Sequence, residues 1–151
     1  MTIQLLIYLI FIAAPVGNIL HELGHAAAAR LFSADRITLS IGTGHLLYHM
    51  KLKHMAVFIH LMFFLGGMAA SERQTPYRKH EQIIMAAFGP VTSALTAVLC
   101  SVVLPFYPNR YLLLFLLFNA WVALVNLIPF RFNGKQSDGY TIFNVIREKY
   151  G

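Results

Sequence analysis

A polar cluster, His21-Glu22-Leu23-Gly24-His25, lies inside an apolar run that begins at residue 3 and continues to about residue 31. No other feature of the chain constrains its fold as strongly. The run is long enough to cross a bilayer as a helix. Two histidines and a carboxylate in hydrocarbon cost several kcal/mol unless a site uses them. On a helix, positions i and i+4 share a face, so His21 and His25 can reach one metal ion, and Glu22 beside them is placed to activate a water molecule. Imidazole nitrogens suit zinc, and two of them leave room for a third ligand and a water. The plainer alternative is a water-exposed helix with polar residues at helical spacing, and the surrounding apolarity argues against it.

Composition agrees with a membrane setting. The chain has 151 residues, 58% of them hydrophobic and 12% charged, which is too apolar for an ordinary soluble domain. One domain spanning 1–151 is expected at this length. The net charge of +6 is modest, and no basic patch is interleaved with aromatics, so nucleic acid is not an expected partner. The lone Cys100 lies within an apolar run and reads as a packing residue. No cleavable signal peptide is expected, because the start lacks a basic region and the first apolar run carries the polar cluster itself.

Three spanning helices are expected, at about 3–31, 82–106 and 111–130. Pro15 and Gly17 are positioned to bend the first. Between the first two, residues 36–67 read as a small membrane-associated β region. Arg36-Ile37-Thr38-Leu39-Ser40-Ile41 alternates polar and apolar, and Gly42 and Gly44 punctuate it. Residues 55–65 are apolar but too few to cross as a helix, and their β-branched and aromatic content favours a strand that Gly66-Gly67 would stop. A short re-entrant helix is the second choice. His45, His49, His54 and His60 fall here without a clear shared geometry, so they read as interfacial histidines. Residues 71–81 read as a solvated loop. In the third helix Asn126 needs a partner, which is either a neighbouring helix or a substrate. In the tail, Tyr140, Ile142, Phe143 and Ile146 have helical spacing, with Arg147, Glu148 and Lys149 behind, as in a short amphipathic helix at the interface.

Basic residues set an expected orientation. Segment 31–80 carries Arg36, Lys51, Lys53, Arg73, Arg78 and Lys79, and the tail carries Arg131, Lys135, Arg147 and Lys149, whereas the 107–110 turn has only Arg110. The N-terminus is then outside, with the C-terminus and the His25 end of the first helix on the cytoplasmic face. Asp138 falls on that same face.

Several stretches together resemble the site-2 protease family of intramembrane zinc metalloproteases. His21-Glu22-Leu23-Gly24-His25 is similar to the family's first motif. Ser40-Ile41-Gly42-Thr43-Gly44 and Leu65-Gly66-Gly67 resemble its membrane-associated β region, and Phe88-Gly89-Pro90 with Ser93 resembles its Gly-Pro segment. Asn126-Leu127-Ile128-Pro129 followed by Asp138-Gly139 resembles the N-x-x-P…D-G motif. The resemblance implies that Asp138 is the third zinc ligand beside His21 and His25, that Glu22 is the general base, and that Asn126 contacts the substrate backbone or the developing oxyanion. One departure stands out: eight residues separate Pro129 from Asp138, more than the family's usual spacing. The polar insert is either a loop that lets Asp138 fold back or a sign that Asp138 is a plain helix cap.

The implied function is hydrolysis of peptide bonds in or near transmembrane segments of membrane-anchored proteins or peptides. The bilayer is the medium, and there is room for a regulatory membrane partner. By analogy the location is a prokaryotic inner membrane, and the chain resembles the catalytic core alone, without an appended regulatory domain. The main alternative is a non-proteolytic zinc-binding regulator on a retired protease core, against which the intact Glu22 argues. A proton- or ion-conducting subunit is a further alternative, for which three short helices leave little room.

Overall fold

Apart from Pro15, His21 and Glu22, the residues that the helix Ala14–Leu31 buries are all glycine or alanine. In the computed structural model, which describes residues 2–132 and 134–148, Ala14, Gly17, His21, Gly24 and Ala28 are buried at alternating spacings of three and four. That periodicity is one helical face. The large apolar residues point the other way: Phe11, Ile12 and Leu31 are exposed. Small residues inside and large ones outside is the arrangement of helices packed within lipid, where close backbone approach replaces a hydrophobic drive between helices.

Three helices are long and apolar enough to cross a membrane: Ile3–Leu31, Lys79–Val103 and Arg110–Leu127. The first is widened into a π turn over Leu9–Ala13. Pro15, which has no N–H to give, follows directly, so the irregularity precedes the proline. Gly17 faces the third helix, where an added Cβ would stand 2.7 Å from the Phe118 ring. Gly24 faces the second, where an added Cβ would stand 2.5 Å from the Phe88 carbonyl oxygen and run into Thr92 Oγ1. Glycine at these two positions therefore sets the distance between the helices.

The region between the first two helices is strand, not a re-entrant helix. Arg36–Lys51 and Met55–Glu72 pair antiparallel, with Arg36 opposite Glu72 and Ile41 opposite Gly67. The register then doubles back: Ile37 also pairs with Met55 and Ile41 with Ile59, while Leu46 pairs with His60 and Lys51 with Ala56. Residues 37–41 therefore have neighbours on both sides, and among the described residues 67–72 have one only. Gly66-Gly67 does not stop the strand, which runs on to Glu72; Gly66 takes a φ of +75° inside it. Ile37, Leu39 and Ile41 are buried in alternation, and Ile37 and Leu39 pack with Ala26, Ala29 and Ala34 at the end of the first helix. Phe63 and Phe64 lie 6.5 and 6.3 Å (ring centroids) from Phe11. Phe11 is ten residues ahead of His21, about 15 Å along the helix, so the hairpin runs along the first helix well beyond the polar cluster.

Residues 73–78 are held more tightly than a solvated loop. Arg73 donates to the carbonyls of Phe32 (2.8 Å), Thr75 (2.9 Å) and Pro76 (3.0 Å) and to Glu81 (2.8 Å), and its guanidinium carbon lies 4.3 Å from the Tyr77 ring centroid. This one side chain ties the end of the first helix to the start of the second, which begins at Lys79 rather than 82. Beyond the third helix, Arg131–Phe132 and Lys135–Gln136 form a two-rung hairpin, and Asp138–Arg147 is the tail helix. Asn133 and Lys149 lie outside the described residues.

Gly24→Ala is expected to destabilise the fold by about 1–3 kcal/mol, because the clash is with backbone that cannot step aside. Denaturant titration in micelles would measure it. An unchanged midpoint would show that the first two helices are not held this closely.

Candidate functional site

Two antiparallel helices build the core of the site. On the first, His21 and His25 are one turn apart on a single face. On the second, Met85, Gly89 and Ser93 recur every four residues and form the facing stripe. His25 Nδ1 donates to the Met85 carbonyl oxygen at 2.8 Å, and His21 Nδ1 lies 3.0 Å from Ser93 Oγ. Gly89 sits between these contacts, and a Cβ there would collide with His25 Nε2 and stand 2.7 Å from His21 Nε2.

The Met85 contact decides which nitrogen of His25 is free. A carbonyl only accepts, so His25 must carry its proton on Nδ1, leaving the Nε2 lone pair directed inward. Both Nε2 atoms then converge, 3.3 Å apart. Asp138, the first residue of the tail helix, completes the group: its Oδ2 is 3.1 Å from His21 Nε2 and its Oδ1 is 3.2 Å from His25 Nε2. A lone pair facing a carboxylate is repulsive, so a proton or a cation has to lie between them. Ligands bonded to zinc at about 2.0–2.1 Å in a tetrahedron are separated by roughly 3.3 Å. The donor spacing fits a metal ion, and His21, His25 and Asp138 are the described group that could hold one. Burial raises the Asp138 carboxyl, but hydrogen bonds with His21 and His25 outweigh it and leave it below the ordinary carboxylate value.

Glu22 is buried beside this group, against the hairpin. An added Cβ at Gly67 would stand 2.7 Å from Glu22 Cγ, so the strand backbone passes directly over the carboxylate side chain. A cleft of about 460 Å³ opens here. Its walls are the His21–Ala29 face of the first helix, strand residues 67–71, the start of the second helix, and Asn126, Gln136, Asp138 and Thr141. Asn126 lines this cleft, half-buried, with its Nδ2 donating to Val122 O of its own helix at 3.0 Å.

The tail reaches the site despite the long spacing. Gly139 lets it do so, since any Cβ there would collide with the Leu127 carbonyl. The residues 131–136 loop out as the small hairpin, so Asp138 is folded back. His45, His49, His54 and His60 are not part of any described group that could hold a metal. His60 instead contacts Ser40 and the Ile41 carbonyl, and His49 stacks on Phe58. The sequence alone places Ser93 only in the Gly-Pro segment and gives Met85 no role; it reads Gly67 as a strand stop and Gln136 as part of the polar insert. The spacing 85, 89, 93 could have pointed to the first two, since it mirrors 21 and 25 on an antiparallel partner.

Gly89→Ala is expected to abolish metal binding, by placing a methyl group where the two Nε2 atoms converge. Ser93→Ala is expected to weaken it about 10- to 100-fold, the usual effect of removing a ligand's orienting partner. Competition with a calibrated chelator would check both.

A model of peptidase family M50 matches residues 7–112 of the chain. No curated protein matches it. The family match includes the His21–His25 motif and the Gly89-Pro90 segment and ends ahead of Asn126 and Asp138.

Proposed function

The chain belongs to peptidase family M50, the site-2 protease family, and from that membership we propose that it is an intramembrane zinc metalloprotease acting on membrane-anchored proteins or peptides. The family implies a metallopeptidase embedded in the membrane. The observation that carries the finer reading is the convergence of His21, His25 and Asp138 beside Glu22, in a cleft walled by a free strand edge.

In this proposal His21 Nε2, His25 Nε2 and Asp138 hold the zinc. When bound, zinc supplies Lewis acidity that activates a water and polarises a peptide carbonyl. Glu22 takes a proton from the attacking water and later gives it to the leaving amine, as a general base and then a general acid. The Met85 carbonyl keeps His25 in the tautomer that presents Nε2, and Ser93 orients the His21 ring through its Nδ1. Asn126, whose donor is tied to Val122, presents its carboxamide to the cleft as a contact for the substrate.

A helical substrate has to unwind to expose a peptide bond. The 67–71 edge lies in the cleft wall with one side unpaired among the described residues, and it offers backbone groups for an extended segment to join. The basic loops support a cytoplasmic position for this face, with the N-terminus outside, and residues 1–151 are read as one catalytic core. Water then reaches the cleft from the cytoplasm.

Glu22→Gln is expected to retain one zinc per chain and to lower cleavage of a membrane-anchored peptide by about 10²–10⁴-fold. His21→Ala and Asp138→Ala are expected to lose the zinc as well. Elemental analysis with a gel-based cleavage assay would check this, and zinc unaffected by Asp138→Ala would remove the third ligand from the tail. For orientation, Lys135→Cys in a Cys100→Ala background is expected to react with a membrane-impermeant maleimide only after permeabilisation, and Asn109→Cys in intact cells.

A further inference from the structure

Ser137 closes a knot at the base of the tail. Its backbone N–H donates to the Phe130 carbonyl at 3.0 Å, and its hydroxyl accepts from Phe130 N (3.0 Å) and Tyr140 N (3.1 Å) while donating to Ile128 O (2.7 Å). One donor and two acceptors are all that a hydroxyl has, so Ser137 is fully used, and it is buried. The path from the third helix to Asp138 is therefore complete at the Phe130–Ser137 pair. Residues 131–136 hang from that pair as a separate hairpin, with Arg131 opposite Gln136 and Gly134 turning at φ +81°. Delivering Asp138 does not require them.

One residue of this hairpin lines the cleft: Gln136. The other uncharged polar groups there include two more carboxamides, and each is anchored by one of its two N–H donors: Gln82 Nε2 donates to the Tyr77 carbonyl at 3.0 Å and Asn126 Nδ2 to that of Val122. Among the described residues the Gln136 carboxamide has no hydrogen-bond partner. A primary amide presents a donor and an acceptor together, the same pair that a peptide unit presents. The charged groups of the cleft, Glu22 and Asp138, belong to the metal group or adjoin it, so nothing else in its lining selects a charged side chain.

We propose that Gln136 is a substrate-contact residue, hydrogen-bonding the backbone of an extended peptide that lies in the cleft along residues 67–71. The strand edge holds one side of the peptide and Gln136 holds the other. Recognition is then of unwound, uncharged backbone rather than of a particular side chain. The inference rests on the peptidase reading and deepens it.

The test compares two probes on the zinc-loaded chain in detergent: acetohydroxamate, which offers a metal-binding group alone, and a blocked leucyl-alanyl hydroxamate, which adds peptide backbone. In Gln136→Ala the peptidyl compound is expected to bind about three- to tenfold more weakly, the effect of one hydrogen bond. Acetohydroxamate affinity and zinc content stay unchanged, and Lys135→Ala, on the same hairpin but outside the cleft lining, binds both as the parent does. Peptidyl affinity that is unchanged in Gln136→Ala, or that falls in parallel with acetohydroxamate, overturns the contact while leaving the peptidase reading intact. A zinc-loaded parent that binds neither compound overturns that reading, and this inference with it.

Discussion

The close crossing of the first two helices is the contact on which the rest of the molecule depends. Gly24 brings the first helix onto the Phe88 carbonyl, and Gly89 brings the second onto the two histidine rings. In lipid, where apolar side chains gain little by leaving the bilayer, such backbone-to-backbone proximity is a main source of attraction between helices. Here the same proximity does chemical work. It puts the Met85 carbonyl and the Ser93 hydroxyl within hydrogen-bond reach of the imidazoles that a looser crossing would leave unoriented. Packing and site geometry are thus one property, and a change that loosens the former blurs the latter.

The polar groups of the helices fall into two kinds, separated by where their hydrogen bonds go. Thr92, Thr96, Asn119 and Asn126 each donate to the carbonyl four residues earlier on their own helix. A donor of each is accommodated locally, as hydroxyl and amide groups in apolar helices usually are. His21 and His25 instead bond across to Ser93 and Met85 on the second helix, and Asp138 joins them from the tail. Of their inward-facing atoms, His25 Nε2 and the Asp138 carboxylate oxygens have no donor of their own to share. A buried cluster left short of positive charge is costly, which is why this group, and not the more numerous polar residues around it, is the one that calls for a cation.

Much of this was legible in the sequence because helix periodicity is a strong signal. The i, i+4 pair of histidines, the apolar runs around it and the alternation of residues 36–41 each follow from a short repeat. What was not legible depends on register and on backbone. The doubling back of the hairpin makes Ile37 and Ile41 pair on both sides, and no local pattern encodes that second set of partners. Gly66-Gly67 reads as a stop because glycine so often ends strands, yet the ladder runs on to Glu72, and Gly67 gives Glu22 room beside the strand. Met85 contributes a carbonyl, which every residue has, so its identity says nothing. The helix ends moved by about three residues for a related reason: the Arg73–Glu81 link starts the second helix early, and it is a tertiary contact.

The spacing between Pro129 and Asp138 shows how sequence distance and spatial distance come apart. Two ligands on one helix turn are fixed relative to each other by the helix itself. A third ligand from elsewhere must be delivered by a connection, and a longer connection suggests a less certain delivery. Ser137 removes that dependence. By bonding Ile128, Phe130 and Tyr140 at once, it makes the entry to the tail helix a property of four residues around one hydroxyl, whatever the length of the excursion between them. The entropic cost of lengthening a closed loop grows slowly, about 0.6 kcal/mol per doubling, so once its base is pinned the hairpin adds little burden to the site. The hairpin can therefore bring a wall residue, Gln136, to the cleft without the metal group being disturbed.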